Sequence, residues 1–162
     1  MKAIIAMAQN RVIGKNGGLP WPSIKEDFKW FKEFTIGKKL IVGKNTFDTL
    51  PKLKDRECLV VVKPQPSLDI IKNQHFVNQN GMTGKLVYFD QIVSMLNYDD
   101  LIVAGGAKTY ELFLPYIAEF YVTHVNGEYV GDTYMPEFEH MFNTFELMNE
   151  FEGGHKVIKY RK

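Results

Sequence analysis

Residues 39–50 read KLIVGKNTFDTL, and two different patterns meet inside them. Residues 39–42 form a short apolar run suited to a buried strand, and residues 45–50 suit a helix, with Gly43 and Lys44 as the turn between. A strand that feeds straight into a helix is half of a βαβ unit, which implies parallel strands with helices packed on the sheet faces.

The same alternation continues in both directions. Residues 3–8, 59–62, 85–89 and 101–104 are further strand candidates, and residues 24–34, 91–96 and 108–114 are helix candidates that each sit between two strands. The expected class is therefore α/β with a mixed, mainly parallel sheet. Beyond residue 119 the pattern changes. Residues 120–125, 145–151 and 156–161 read as strands with no helix between them, and Gly153-Gly154 supplies a turn, so an antiparallel hairpin at the C-terminal edge is expected.

At 162 residues the chain is expected to form a single domain over 1–162. Hydrophobic residues make up 45%, charged residues 24%, and the net charge is +1. That balance offers no general field for nucleic acid or a membrane, so any charged partner must be bound locally. The apolar stretch after Lys2 ends by Ala8, too short for a signal-peptide core or a membrane span, and a cytoplasmic monomer is the expectation. The single cysteine, Cys58, leads into an apolar run and reads as a buried thiol. His75, His124, His140 and His155 have no partners at ligand spacing, so no metal site is expected.

Two strand ends carry ligand-binding turns. Residues 39–42 run into Gly43-Lys44-Asn45-Thr46, and residues 101–104 run into Gly105-Gly106-Ala107-Lys108. Free N–H groups at such turns favour phosphate, and two of them at the carboxyl ends of strands suit the halves of a dinucleotide. Neither is a standard fingerprint. Five residues separate Gly37 from Gly43 where a Walker loop needs four, Asn45 stands where Ser or Thr should bind magnesium, and no G-x-G-x-x-G follows the first strand.

The chemistry-bearing acid lies in residues 14–34, GKNGGLPWPSIKEDFKWFKEF. At about 100° per residue, Ile24, Phe28, Trp30, Phe31 and Phe34 share one arc with Asp27 inside it, while Glu26 falls at the edge of the polar arc. An acid near a helix start also favours the positive end of the dipole, so the arc alone leaves both a functional and a helix-starting role open for Asp27. The preceding loop, with Gly14, Gly17, Gly18, Pro20, Trp21 and Pro22, reads either as a lid with a stiff hinge or as an ordinary crossover.

Arg11-Val12-Ile13-Gly14, Leu19-Pro20-Trp21 and Asp27 with Trp30-Phe31-Lys32 resemble the dihydrofolate reductase family. Gly43-Lys44-Asn45-Thr46-Phe47, Ala104-Gly105-Gly106, Tyr110 to Pro115, Tyr121-Val122-Thr123-His124 and Gly131-Asp132-Thr133 extend the match in order over essentially the whole chain. The resemblance implies an eight-stranded, mainly parallel sheet and reduction of 7,8-dihydrofolate by NADPH, with antifolates such as methotrexate as inhibitors. It implies catalytic roles for Asp27, Trp21 and Thr123, with Asp27 on pterin N3 and the 2-amino group and Trp21 holding a water. Phe31 and Leu50 would flank the p-aminobenzoyl ring, Ile4, Ile5, Ala6 and Ala104 would form the floor, and Arg56 with Lys52 would meet the α-carboxylate. For the cofactor it implies Ala6, Ile13, Gly14, Lys15, Asn16, Gly17, Gly18 and Leu19 around the nicotinamide. Gly43, Lys44, Asn45 and Thr46 would surround the phosphates together with Gly105, Gly106, Ala107, Lys108, Thr109 and Tyr110, and Lys44 and Lys63 would favour a 2′-phosphate. The chain departs from the pattern in an extra residue between Trp21 and Asp27, which makes Glu26 the rival acid, in Lys44-Asn45, and over residues 63–84. The pyrimidine reductases of riboflavin synthesis, which lack the acid, and a non-catalytic folate- or nucleotide-binding protein are the alternatives.

Overall fold

The computed structural model describes residues 1–68, 73–95 and 97–162. Its strands are β1 (Lys2–Ala8), β2 (Val12–Gly14), β3 (Lys39–Gly43), β4 (Glu57–Val62), β5 (His75–Val77), β6 (Thr83–Tyr88), β7 (Leu101–Gly105), β8 (Glu119–Val125), β9 (Thr133–Tyr134), β10 (Thr144–Phe151) and β11 (His155–Arg161). The α-helices are α1 (Lys25–Thr35), α2 (Lys44–Thr49), α3 (Phe89–Val93) and α4 (Ala107–Phe113).

Nine strands form the main sheet in the order β10-β11-β8-β1-β7-β3-β4-β6-β5, and β2 pairs with β9 separately. The block from β8 to β6 is parallel throughout. Both antiparallel edges lie outside it, β11 against β8 with β10 beyond, and β5 against β6. The mixed, mainly parallel class and the C-terminal hairpin are as expected, but the main sheet has nine strands, one more than the resemblance implied. Strand β5 accounts for a strand the sequence reading did not assign. Its three residues are too few to show a period, and it is anchored through Phe76, whose ring meets Phe47 edge-on at 4.9 Å.

Apolar side chains alternate along the central strands because successive residues face opposite sides of a sheet. On one face Ile5, Met7, Ile41, Leu59 and Val103 pack with Phe113, Phe120 and Phe138. On the other Ile4, Leu40, Val42, Val60 and Ile102 pack with Phe47 of α2 and with Trp30, Phe31 and Phe34 of α1. Helices therefore cover both faces, as parallel strands require.

Helices α2 and α4 begin one residue earlier than expected. Helix α3 begins at Phe89 where the sequence suggested 91–96, because Gln91 Oε1 accepts the Tyr88 N–H at 2.8 Å and fixes the start there; position 96 lies outside the described residues. Phe28, at one end of the apolar arc, is 51% exposed, so the sheet covers less of α1 than the arc spans. Cys58 is fully buried and its thiol is pushed up to about 12, which makes it inert packing, as expected. Among the described residues no helix is long and apolar enough to cross a membrane, and no cluster of His, Cys, Asp or Glu could hold a metal ion.

Candidate active site

Because β1, β3, β7 and β8 are parallel, their carboxyl ends lie on one edge of the sheet, where open α/β sheets bind ligands. Ala6 and Thr123 pair across β1 and β8 at that edge. Thr123 is buried, and its hydroxyl donates to Asp27 Oδ1 at 2.6 Å. Helix α1 thus delivers Asp27, in its first turn, to a hydroxyl on β8. Burial raises the pKa of the carboxyl, while the Thr123 hydrogen bond and then the charge of His155 pull it down. Among the described residues Oδ2 has no protein partner, so the acid keeps acceptor capacity for a ligand with paired donors. Glu26, the rival, is exposed, and its Oε2 accepts the backbone N–H of Glu152 at 2.9 Å.

Around this acid, Trp21 is buried with Ala8, Val12 and Val125 and meets Tyr129 edge-on at 6.0 Å. Ala6 and Ile24 pack against the same cluster. Phe31, Leu50 and Ala104 pack partly buried with Ile4. Ile4 and Ile5, named together from the sequence, face opposite sides of the sheet, Ile4 toward Phe31 and Ile5 toward Phe113. Ala104 is the residue skipped where β3 and β7 change register, Ile41 pairing Val103 and Val42 pairing Gly105, a bulge of the kind that re-aims backbone beside sites.

Arg56 is oriented rather than loose. Its Nε donates to the Lys54 carbonyl at 3.0 Å and its Nη1 to Thr35 Oγ1 at 3.1 Å, and that hydroxyl donates on to the Phe31 carbonyl at 2.7 Å. Lys52 is exposed on the neighbouring loop, where its stem runs beside Gly81.

The two glycine turns face each other. A methyl on Gly43 would lie 2.9 Å from Thr109 Oγ1, and one on Gly106 would lie 3.1 Å from Thr46 Oγ1. Bare backbone therefore meets the first turn of the opposite helix, with Lys44, Asn45, Ala107 and Lys108 alongside. Lys44 Nζ is 2.5 Å from Asp48 Oδ1, and Lys63 follows β4, the strand next to β3. Tyr110 turns into the core, where its hydroxyl donates to the Ile4 carbonyl at 2.6 Å, beside Gly105. Its burial pushes the phenol pKa up.

The glycine-rich loop is a small hairpin. Lys15 and Gly18 exchange backbone hydrogen bonds at 3.0 and 2.9 Å, and Asn16 and Gly17 have φ of 51° and 79°, the pattern of a type I′ turn. Its strand β2, with Ile13 and Gly14, pairs with β9, and Asp132 Oδ2 accepts the Asn16 N–H at 2.7 Å. Asp132 Oδ1 also accepts the Thr133 hydroxyl at 2.8 Å. Asn16 first and Thr133 next hold the Asp132 carboxyl below its ordinary range, so this clasp is formed at neutral pH and weakens as pH falls through the lowered value. At the tip a methyl on Gly17 would come within 3.1 Å of Thr49 Cγ2, so the hairpin, with exposed Leu19 behind it, leans on α2. Asp132 was not picked out as functional from the sequence. Asn16-Gly17 was the local signal for the turn, but only the fold brings Asp132 to it.

A family model for dihydrofolate reductase matches residues 1–160. The chain belongs to the dihydrofolate reductase family. It is 32% identical to dihydrofolate reductase type 8 of Escherichia coli over 166 aligned positions, covering 100% of this chain and 95% of that protein. It is 31% identical to the dihydrofolate reductase of Buchnera aphidicola subsp. Baizongia pistaciae, over 85% of this chain and 78% of that protein. The fold is similar to that of a dihydrofolate reductase from Enterococcus faecalis complexed with NADP(H) and RAB-propyl, with a TM-score of 0.75, 24% identity and coverage of 99% and 94%. Its activity is that of a dihydrofolate reductase, NADPH-dependent reduction of 7,8-dihydrofolate to tetrahydrofolate. The facing turns fit the phosphates of a dinucleotide, since a Cβ at Gly43 or Gly106 would fill the space the backbone leaves.

Proposed function

We propose that Asp27 is the pterin-binding acid of this reductase, and the observation that carries the reading is its part-buried hydrogen bond with Thr123. A carboxylate with a free oxygen accepts the N3–H and the 2-amino group together, fixing the ring's orientation. Phe31 and Leu50 grip the p-aminobenzoyl ring above a floor set by Ile4, Ala6 and Ala104; the Ile5 side chain, on the opposite face of the sheet, is not part of it. Arg56 presents its fork to the α-carboxylate, with Lys52 at the rim. The hairpin from Gly14 to Leu19 closes over the nicotinamide beside Ala6 and Ile13, and the two glycine turns hold the phosphates.

When bound, NADPH supplies a hydride from its nicotinamide C4 to pterin C6. The fixed negative charge of Asp27 stabilises the cation that develops on the pterin, and a water held near Trp21 carries the proton to N5. Thr123 keeps Asp27 aimed while its other oxygen binds substrate. Residues 1–162 act as one domain and a cytoplasmic monomer, with antifolates as competing ligands and no nucleic-acid or membrane partner; the net charge of +1 supports the last point.

The test is the loss of reduced-nicotinamide absorbance on adding dihydrofolate, with and without methotrexate. Turnover blocked by methotrexate supports the reading, and binding without turnover would leave only a folate-binding protein. Arg56→Lys is expected to raise KM for dihydrofolate roughly tenfold while leaving NADPH affinity unchanged, because lysine cannot copy a fork already aligned by Thr35 and Lys54. Equal binding of a substrate lacking the glutamate tail by both proteins is the matching control. Replacing Lys44 and Lys63 together with Ala is expected to raise KM for NADPH far more than for NADH. Equal losses for the two cofactors would remove both lysines from the 2′-phosphate site.

A further inference from the structure

The first turn of α1 carries the acid, yet it is weakly anchored by ordinary means. Ile24 at its N-cap makes no side-chain capping hydrogen bond, and the one fully buried residue of α1 is Thr35, at the far end. Among the described residues two side-chain hydrogen bonds tie this turn to the sheet, Thr123 to Asp27 and the Glu152 N–H to Glu26. Both run to one framework. Glu152 opens the turn between β10 and β11, and that turn is fixed internally by the Gly154 N–H on the Phe151 carbonyl at 3.2 Å. It is fixed to β8 by Asn126, whose side-chain amide donates to the Gly153 carbonyl at 3.2 Å and whose N–H donates to His155 Nδ1 at 3.0 Å. Asn126 stands three residues beyond Thr123, and Val157 of β11 pairs with Thr123 itself.

We propose that Glu26 is a positioning residue for Asp27, holding the first turn of α1 against the β10–β11 turn so that the acid stays aimed while it binds substrate. The inference rests on the reading of Asp27 as the pterin-binding acid. Asp27 must share its oxygens between Thr123 and the incoming donors, so by itself it is a poor anchor. Glu26 projects about 100° around the helix and grips a backbone N–H that the substrate does not touch. Two adjacent residues thus fix the rotation of the turn as well as its distance from the sheet. Glu26 is exposed, so its hydrogen bond adds little to global stability, and its effect is local.

The experiment compares Glu26→Ala, Glu26→Gln, Asp27→Asn and the double variant Glu26→Ala/Asp27→Asn. Glu26→Ala is expected to lower kcat/KM for dihydrofolate about three- to tenfold, with the Kd of NADPH and the Tm unchanged. Glu26→Gln keeps an acceptor oxygen for the Glu152 N–H and should return kcat/KM to within about twofold of the parent. On the Asp27→Asn background the Ala substitution should have no further effect, since residues that act through one another are not additive. A wild-type kcat/KM in Glu26→Ala, a Gln variant as impaired as the Ala variant, or an undiminished effect in the double variant would each overturn the positioning role. Full activity in Asp27→Asn alone would overturn the reading of Asp27 instead.

Discussion

Asp27→Asn folds, binds NADPH and loses about 10²- to 10³-fold in hydride transfer at neutral pH, the scale on which removing one preorganised charge acts. Asparagine still offers an oxygen to the Thr123 hydroxyl, so the pocket keeps its shape, but the group facing the pterin becomes a donating amide in place of a charged acceptor. Part of the rate should return in acid, where solvent protonates the substrate before hydride arrives. The raised pKa sets the sign of a second effect. Burial makes folded Asp27 hold its proton to a higher pH than the unfolded chain does, so its ionised form subtracts from stability at neutral pH. That penalty disappears below the ordinary carboxyl value of 3.8. The variant should therefore melt higher than the parent at pH 7, with the gap closing as pH falls through the raised value toward 3.8. Pre-steady-state absorbance and thermal melts across pH measure both; a gap that widens in acid contradicts the desolvated-acid account.

Gly131→Ala carries the second large effect. A methyl there would stand 2.4 Å from Val12 Cγ2 and 2.6 Å from the Gly14 carbonyl oxygen. The second neighbour is backbone, which no rotamer change can clear. Val12 and Gly14 belong to β2, and the Asp132 N–H, next along the chain, donates to that same Gly14 carbonyl at 3.0 Å. Relief of the clash must push β2 away and pull Asp132 off Asn16, so the hairpin loses its clasp. Overpacking of this kind costs about 1–3 kcal/mol. The rate should suffer more than the fold, with hydride transfer slower by roughly tenfold or more because water exclusion depends on the closed hairpin. Single-turnover kinetics and denaturant unfolding separate the two. A destabilised variant with unaltered hydride transfer would detach the hairpin from the chemical step.

Much of this was legible in the sequence because the decisive signals were local. Apolar strand runs ending in glycine turns disclosed the parallel block, and a charge inside the apolar arc of α1 singled out Asp27 as a candidate whose role only the family resemblance supplied. What stayed hidden depends on contacts far apart in the chain. The clasp on the hairpin comes from position 132 and a hydroxyl that aligns Arg56 from position 35, while the hydroxyl at position 123 that meets Asp27 was indicated only by the family resemblance. The same limit applied to Ile4 and Ile5. Neighbours in a strand share a sequence address but look to opposite sides of the sheet, and only the packed cores tell them apart. Glu26 was legible as an acid, but its true partner, a backbone amide at position 152, was not.

Phe31, Leu50, Leu53 and Ala104 pack into the cluster that also contains Leu40, Phe47 and Ile102. The wall proposed to grip the ligand is one side of a hydrophobic core. Resistance to an antifolate that presses on this wall is therefore bound to thermal robustness. A change that carves room away from the drug also removes packing, at a cost that reaches about 2–5 kcal/mol for a large-to-alanine truncation of a fully buried side chain and less for these partly buried ones. Escape variants should arise together with compensating substitutions elsewhere in that core, or at polar positions such as Arg56 whose loss empties no cavity.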